Sequence, residues 1–91
     1  YSSAQCNLGY LYYHGLGVEQ NIPRAFELFG QAVDAENNTA MFNLALLLLD
    51  PETGHQDTAR AAALLKKCAL AGFPEARELL EEMHSTQAPG A

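Results

Sequence analysis

The stretch AQCNLGYLYYHGLGVEQNIPRAFELFGQAVDAE, residues 4–36, and the stretch AMFNLALLLLDPETGHQDTARAAALLKKCALAG, residues 40–72, are two versions of one unit. They align without a gap at a spacing of 36 residues. Ala4, Asn7, Leu8, Leu11, Gln20, Arg24, Ala25, Leu28 and Ala35 return as Ala40, Asn43, Leu44, Leu47, Gln56, Arg60, Ala61, Leu64 and Ala71. Ala40 and Leu44 return once more as Ala76 and Leu80. A fixed period in the thirties marks an array of stacked helical hairpins, in which each unit buries its apolar stripe only against its neighbours.

Five helices follow from the pattern. Ser3 is placed to cap the first, which runs to about His14 with Ala4, Leu8, Leu11 and Tyr12 on one face. Gly15 and Gly17 make the turn. Asn21 caps the second helix, Pro23 sits in its first turn, and Ala25, Leu28, Phe29 and Ala32 form its stripe. Asn38 or Thr39 opens the third, which ends at Asp50-Pro51 because proline disfavours helical geometry in the residue before it. Asp57 caps the fourth, Gly72 ends it, and Pro74 begins the fifth, Glu75 to about His84. Residues 85–91 read as a flexible polar tail. The expected organisation is therefore a repeat domain over 1–84, with repeat one at about 4–39, repeat two at about 40–75, a capping helix at about 75–84, and the tail beyond.

A second face of each first helix bears on the ends of the array. Cys6, Tyr10 and Tyr13 lie on it in repeat one, and Phe42, Leu46 and Leu49 in repeat two; the third unit has Glu78, Glu82 and Ser85 there. An inner helix needs apolar contact with the next repeat, whereas a terminal helix turns that side to water. The change to glutamate predicts a C-terminal cap. The helical pattern begins within about three residues of Tyr1, so the array is expected to continue upstream.

Repeat one resembles the Sel1-like repeat family, a relative of the tetratricopeptide repeat. The residues that carry the resemblance are Ala4, Leu8-Gly9, Tyr12, Gly15-Leu16-Gly17-Val18, Asn21, Arg24-Ala25, Leu28-Phe29 and Ala32-Val33. Repeat two keeps Ala40, Leu44, Asp57, Arg60-Ala61, Leu64-Leu65, Cys68-Ala69 and Gly72. It departs with Ala45 for the glycine, Leu48 for the tyrosine and Pro51-Glu52-Thr53-Gly54 in place of the glycine turn; repeat one has Glu36 where its closing glycine is expected. These departures bear on the loop shapes, and the hairpin stack is expected to survive them. The resemblance implies an all-α, right-handed alpha-alpha superhelix, a solenoid of two hairpins plus a C-terminal capping helix. It also implies a scaffold or adaptor role in assembling proteins.

Composition narrows the partners. Eleven acidic residues against five basic ones give a net charge of -6, with no basic stripe to neutralise phosphates, so neither nucleic acid nor an anionic membrane is an expected partner. The apolar run Leu44 to Leu49 is far too short to span a bilayer. Two cysteines, Cys6 and Cys68, make no disulfide framework and read as small buried residues. His14, His55 and His84 stand in unrelated registers, so no metal site is expected. Gly15-Leu16-Gly17 lacks the lysine and the strand of a phosphate loop, so no cofactor is expected. Glu75, Glu78, Glu81 and Glu82 read as a solvated helix face. No catalytic constellation is expected, and the chain reads as a non-enzyme.

What remains is surface. Asn7 and Asn43 share a register one repeat apart. They either hydrogen-bond along an extended partner backbone or bridge neighbouring helices. Tyr10, His14, Leu46 and Asp50 flank that row, with Tyr13, and offer specificity; for Tyr10, Tyr13 and Leu46 packing between repeats is the alternative. The expected function is a scaffold that binds a protein or peptide on its concave side. The alternatives are self-association through an exposed N-terminal face bearing Tyr1, Gln5, Leu8 and Tyr12, or regulation of a catalytic domain elsewhere in the parent chain.

Overall fold

A computed structural model describes residues 2–87, with side chains described for 2–83. Its helices are α1 (Ser2–His14), α2 (Ile22–Asp34), α3 (Asn38–Leu49), α4 (Thr58–Leu70) and α5 (Pro74–Gln87), with a short 3-10 turn at Pro51–Thr53. The principal contacts run from each helix to the next, α1 on α2, α2 on α3, α3 on α4 and α4 on α5. Packing that passes mainly between sequence neighbours draws the molecule out to 45 × 28 × 18 Å. This is an all-α solenoid.

The helix starts are set by local chemistry. Asn21, Asn37 and Asp57 each accept the backbone N–H three residues on, at 3.0, 2.9 and 3.1 Å. Each thereby satisfies one of the orphan donors of a first turn. The cap of α3 is Asn37, and Asn38 is its first helical residue. At the other end of α2, the Glu36 N–H donates to Val33 O and the Asn37 N–H to Ala32 O. Gly72 and Phe73 repeat the same two bonds onto Ala69 and Cys68. Both closing residues stand in the left-handed region, Glu36 at φ 61 and Gly72 at φ 90. The missing glycine therefore leaves the loop shape unchanged and puts a side chain where glycine is favoured.

The two hairpin turns differ in sequence and share their fastenings. Asn21 N–H donates to Tyr12 O at 2.9 Å, and Asp57 N–H to Leu48 O at 2.8 Å. Gln20 Nε2 reaches Tyr13 O at 2.8 Å, and its counterpart Gln56 reaches Leu49 O at 3.5 Å. That gives the repeated glutamine a reason: it ties the loop back to the end of the first helix. Between repeats, the Arg60 guanidinium lies 5.7 Å from the ring centroid of Phe26, on which His55 is stacked.

The core runs through α2, α3 and α4, with Phe29, Leu44, Leu47, Leu48, Leu65 and Cys68 its largest fully buried side chains. The first helix departs from expectation. It is already helical at Ser2, so Ser3 lies inside it. Its buried residues are Cys6 and Gly9, and Tyr12 and Tyr13 pack partly buried beside them. Ala4, Leu8 and Leu11 turn outward instead, the two leucines each 36% exposed. Gln5 is bound to Gln31 of α2 at 3.0 Å, so it and Tyr12 serve the hairpin rather than the outer face. Tyr1 and residues 88–91 of the expected tail lie outside the described residues, while 85–87 complete α5.

Candidate functional site

The first helices of the two repeats, α1 and α3, differ from the rest of the chain in charge. Neither α1 nor α3 contains an aspartate, glutamate, lysine or arginine. All eleven acidic and five basic residues fall elsewhere on the chain. A surface depleted of charge and bearing tyrosines has the composition of an interface core rather than of a solvated face.

At the junction of α1, α2 and α3 lies a cleft of about 80 Å³, lined by Tyr10, Tyr13, His14, Phe29, Asn43 and Leu46. Tyr10 and His14 stand one turn apart on α1 with ring centroids at 4.4 Å. Tyr13 stacks on His14, at 4.9 Å and 12° between planes. Tyr13 also meets Phe29 of α2 at 6.5 Å in a tilted arrangement. Phe29 reaches this place because Gly9 lets it: a Cβ at Gly9 would stand 2.8 Å from Phe29 Cε1.

Two bonds lace the cleft across the repeats. Tyr13 donates its hydroxyl to Asp50 Oδ2 at 3.1 Å. The other oxygen of Asp50 accepts the Glu52 N–H at 2.9 Å and starts the 3-10 turn. Burial, and then the neighbouring Asp50 carboxylate, push the Tyr13 hydroxyl up to about 12, so it stays a donor throughout the physiological range. Asn43 Nδ2 donates to Cys6 Sγ at 3.5 Å, a weak bond that ties α3 to α1.

Of the six residues expected at the site, Tyr10, His14, Asn43 and Leu46 share this cleft, and Asp50 joins it through Tyr13. Asn7 is exposed and outside it. The two asparagines are thus unlike each other, one half-buried and bridging, the other turned to solvent. Tyr13 and Phe29 complete the lining. Phe29 sits on the second helix, and the signal that points to it is the glycine it packs against. A wider, more open hollow of about 360 Å³ lies elsewhere, between α4 and α5, walled by Lys66, Arg77, Leu80 and Glu81.

The cysteines are in the wrong places for chemistry. Burial raises both thiols, with the Asn43 bond partly opposing this at Cys6; Cys68 donates to Asn38 O at 3.4 Å. A thiol held protonated in an apolar setting is a poor nucleophile. Among the described residues, no three of His, Cys, Asp and Glu gather where they could hold a metal ion. Nor is any helix there long and apolar enough to cross a membrane. The His84 side chain lies outside the described residues.

The chain is similar to known proteins in both sequence and shape. The Sel1 repeat family matches residues 2–37 and 38–73, two abutting spans. Among solved structures, a Sel1 repeat protein from Oxalobacter formigenes is 28% identical and superimposes with a TM-score of 0.85. The match covers 94% of this chain and 35% of that one, so this chain spans about a third of that relative's length. No curated protein matches.

Proposed function

The chain belongs to the Sel1 repeat family, whose repeats generally mediate protein–protein interaction, and on that premise we propose that it is a non-catalytic scaffold that binds a protein or peptide on the face lined by α1 and α3. The observation that carries this reading is the cleft itself. It gathers Tyr10, His14, Asn43 and Leu46 from two repeats, on the pair of helices that bear no charged residue. Interfaces owe most of their energy to a few buried anchors in well-packed pockets, with tyrosine prominent among them.

The test compares wild type with a Tyr10→Ala, Leu46→Asp double variant and with Leu70→Asp on α4, which is 89% exposed and does not line the cleft. Both cleft residues are substantially exposed, so their replacement leaves the core intact. Proteins captured by wild type and by Leu70→Asp, and lost from the double variant at equal helicity, are the expected result. Capture that ignores the double variant, or that is lost with Leu70→Asp alone, moves the binding face elsewhere.

A second reading has its own observation. Leu8 and Leu11 are each 36% exposed on α1, and Leu16 in the adjoining turn is 50% exposed. A patch of this kind favours self-association through α1. Sedimentation equilibrium distinguishes it: the average mass rises with concentration, and a Leu8→Lys, Leu11→Lys variant stays monomeric. A mass that is independent of concentration for both proteins removes this reading.

A further inference from the structure

We propose that the face of α1 bearing Ala4, Leu8 and Leu11 seats a further hairpin of this solenoid. The second helix of that hairpin lies along α1 as α2 lies along α3, and Arg24 receives an aromatic side chain from it. None of these residues lines the cleft, so the seat holds or fails apart from the scaffold reading above.

The molecule contains the filled form of the same face. Ala40, Leu44 and Leu47, the same three residues one repeat on, are fully buried on α3, and α2 packs against that helix. Helix α5 isolates the cause: its principal neighbour among the described residues is α4, and Ala76 is fully buried there. A second helix from the hairpin before is what covers this register in both cases. On α1 the register stands open, with Ala4 exposed and each leucine 36% exposed.

A second copy of the chain makes a poor occupant. Its own second helices each carry a following helix already, α3 on α2 and α5 on α4. Its last helix would bring the exposed Glu78 and Glu82 against leucines, where carboxylates lose their hydration.

The filled junction also says what the arriving helix carries. Phe26 of α2 is half-buried and stacked on His55 at 4.7 Å, with the Arg60 guanidinium 5.7 Å from its ring centroid. Arg24 is the counterpart of Arg60, in the first turn of the second helix of repeat one. It is exposed and bonds Glu27 Oε1 through Nη1 at 2.9 Å. A carboxylate meets a guanidinium in its plane, which leaves the flat faces open to a ring. An aromatic residue placed like Phe26, one repeat earlier, falls to Arg24 as Phe26 falls to Arg60.

The probe is the whole chain extended by a second copy of residues 2–37 joined ahead of Ser2, since the repeats abut without a gap. Amide hydrogen exchange across α1 is expected to slow at least roughly ten-fold in the extended protein, the scale set by burying one leucine. Leu8→Lys with Leu11→Lys should release the added hairpin and leave the rest helical. In the added hairpin, leucine in place of the phenylalanine that corresponds to Phe26 should speed exchange of its amides by roughly two- to five-fold, the scale of an exposed cation–π contact. In an Arg24→Gln background that difference should vanish. An added hairpin that stays unprotected, or that is protected despite both lysines, overturns the seat. A phenylalanine effect that is the same with and without Arg24 overturns the aromatic contact. Exchange in α1 of the unextended chain that slows with rising concentration puts a second copy on this face and overturns the choice of occupant.

Discussion

Helices α1 and α3 carry alanine, leucine and leucine in the same register, and the two sets have opposite fates. Ala40, Leu44 and Leu47 are fully buried, while Ala4 is exposed and Leu8 and Leu11 are each 36% exposed. Each helix packs against its own hairpin partner, so the partner is not the cause. What α3 has and α1 lacks, among the described residues, is a preceding second helix: α2 lies against α3. Helix α5 is the internal control. It follows α4, and its Ala76, in the register of Ala4 and Ala40, is fully buried. These positions form the slot between hairpins, and a neighbour's presence decides whether the slot contributes to stability.

The most forceful way to break that comparison is to cut the same side chain in both helices. Leu44→Ala removes buried atoms from a site that closes poorly around the loss, and is expected to cost about 2–5 kcal/mol. Leu8→Ala removes a partly solvated side chain, and should cost about 1 kcal/mol or less. Chemical denaturation of both variants measures the difference. Equal costs would mean that α1 is supported at this face by something other than a neighbouring hairpin, and the slot reading would fall.

The hairpin interior gives a second contrast between the repeats. Gly9 faces Phe29 in repeat one; Ala45 and Leu65 hold the same registers in repeat two, both fully buried. The large ring and the missing methyl compensate each other, a volume-conserving exchange across one interface. Gly9→Ala would place its Cβ 2.8 Å from Phe29 Cε1. The overpacking of about 1–3 kcal/mol is set against roughly 1 kcal/mol gained in helix propensity, so the net is a loss of up to about 2 kcal/mol. In a Phe29→Leu background the same substitution should be neutral or stabilising, because the pair then reproduces that of repeat two. Additive effects in the double-mutant cycle would show that the two positions do not sense each other.

The contrast also explains how far the sequence could be read. Caps and prolines are one-residue signals, so Asn21, Asp57, Pro23 and Pro74 locate their helices without reference to the fold. Asn37, Asn38 and Thr39 are all competent to cap, and the choice among them depends on how the preceding helix closes, through the bond from Asn37 N–H to Ala32 O. The inward face of α1 was hidden for a different reason. Its two buried residues are Gly9, which meets Phe29 of α2, and Cys6, which is bonded to Asn43 of α3; both carry weak apolar signals, whereas its leucines belong to the slot. At the cleft, Tyr10 and Leu46 share a register on consecutive repeats and so read together, while Phe29 arrives from another helix, signalled in the sequence only by the small residue Gly9 that it packs against.

The smallest expected effect comes from the repeat closures, where the two units differ by one residue in one conformation. Glu36 and Gly72 both stand in the left-handed region and make matching pairs of bonds. That conformation costs a residue with a Cβ about 1–2 kcal/mol, and glycine nothing of the kind. Glu36→Gly relieves this strain, at the expense of a more flexible unfolded chain, so a net gain of about 0.5–1 kcal/mol is expected. Gly72→Ala introduces the strain that repeat one already tolerates and should cost about 1 kcal/mol. For a domain of this size 1 kcal/mol moves Tm by about 4–8 °C, so opposite shifts of a few degrees are measurable by thermal unfolding. A fall in stability for Glu36→Gly would mean that the glutamate side chain contributes more than its backbone strain withdraws, and the two closures would then differ in kind.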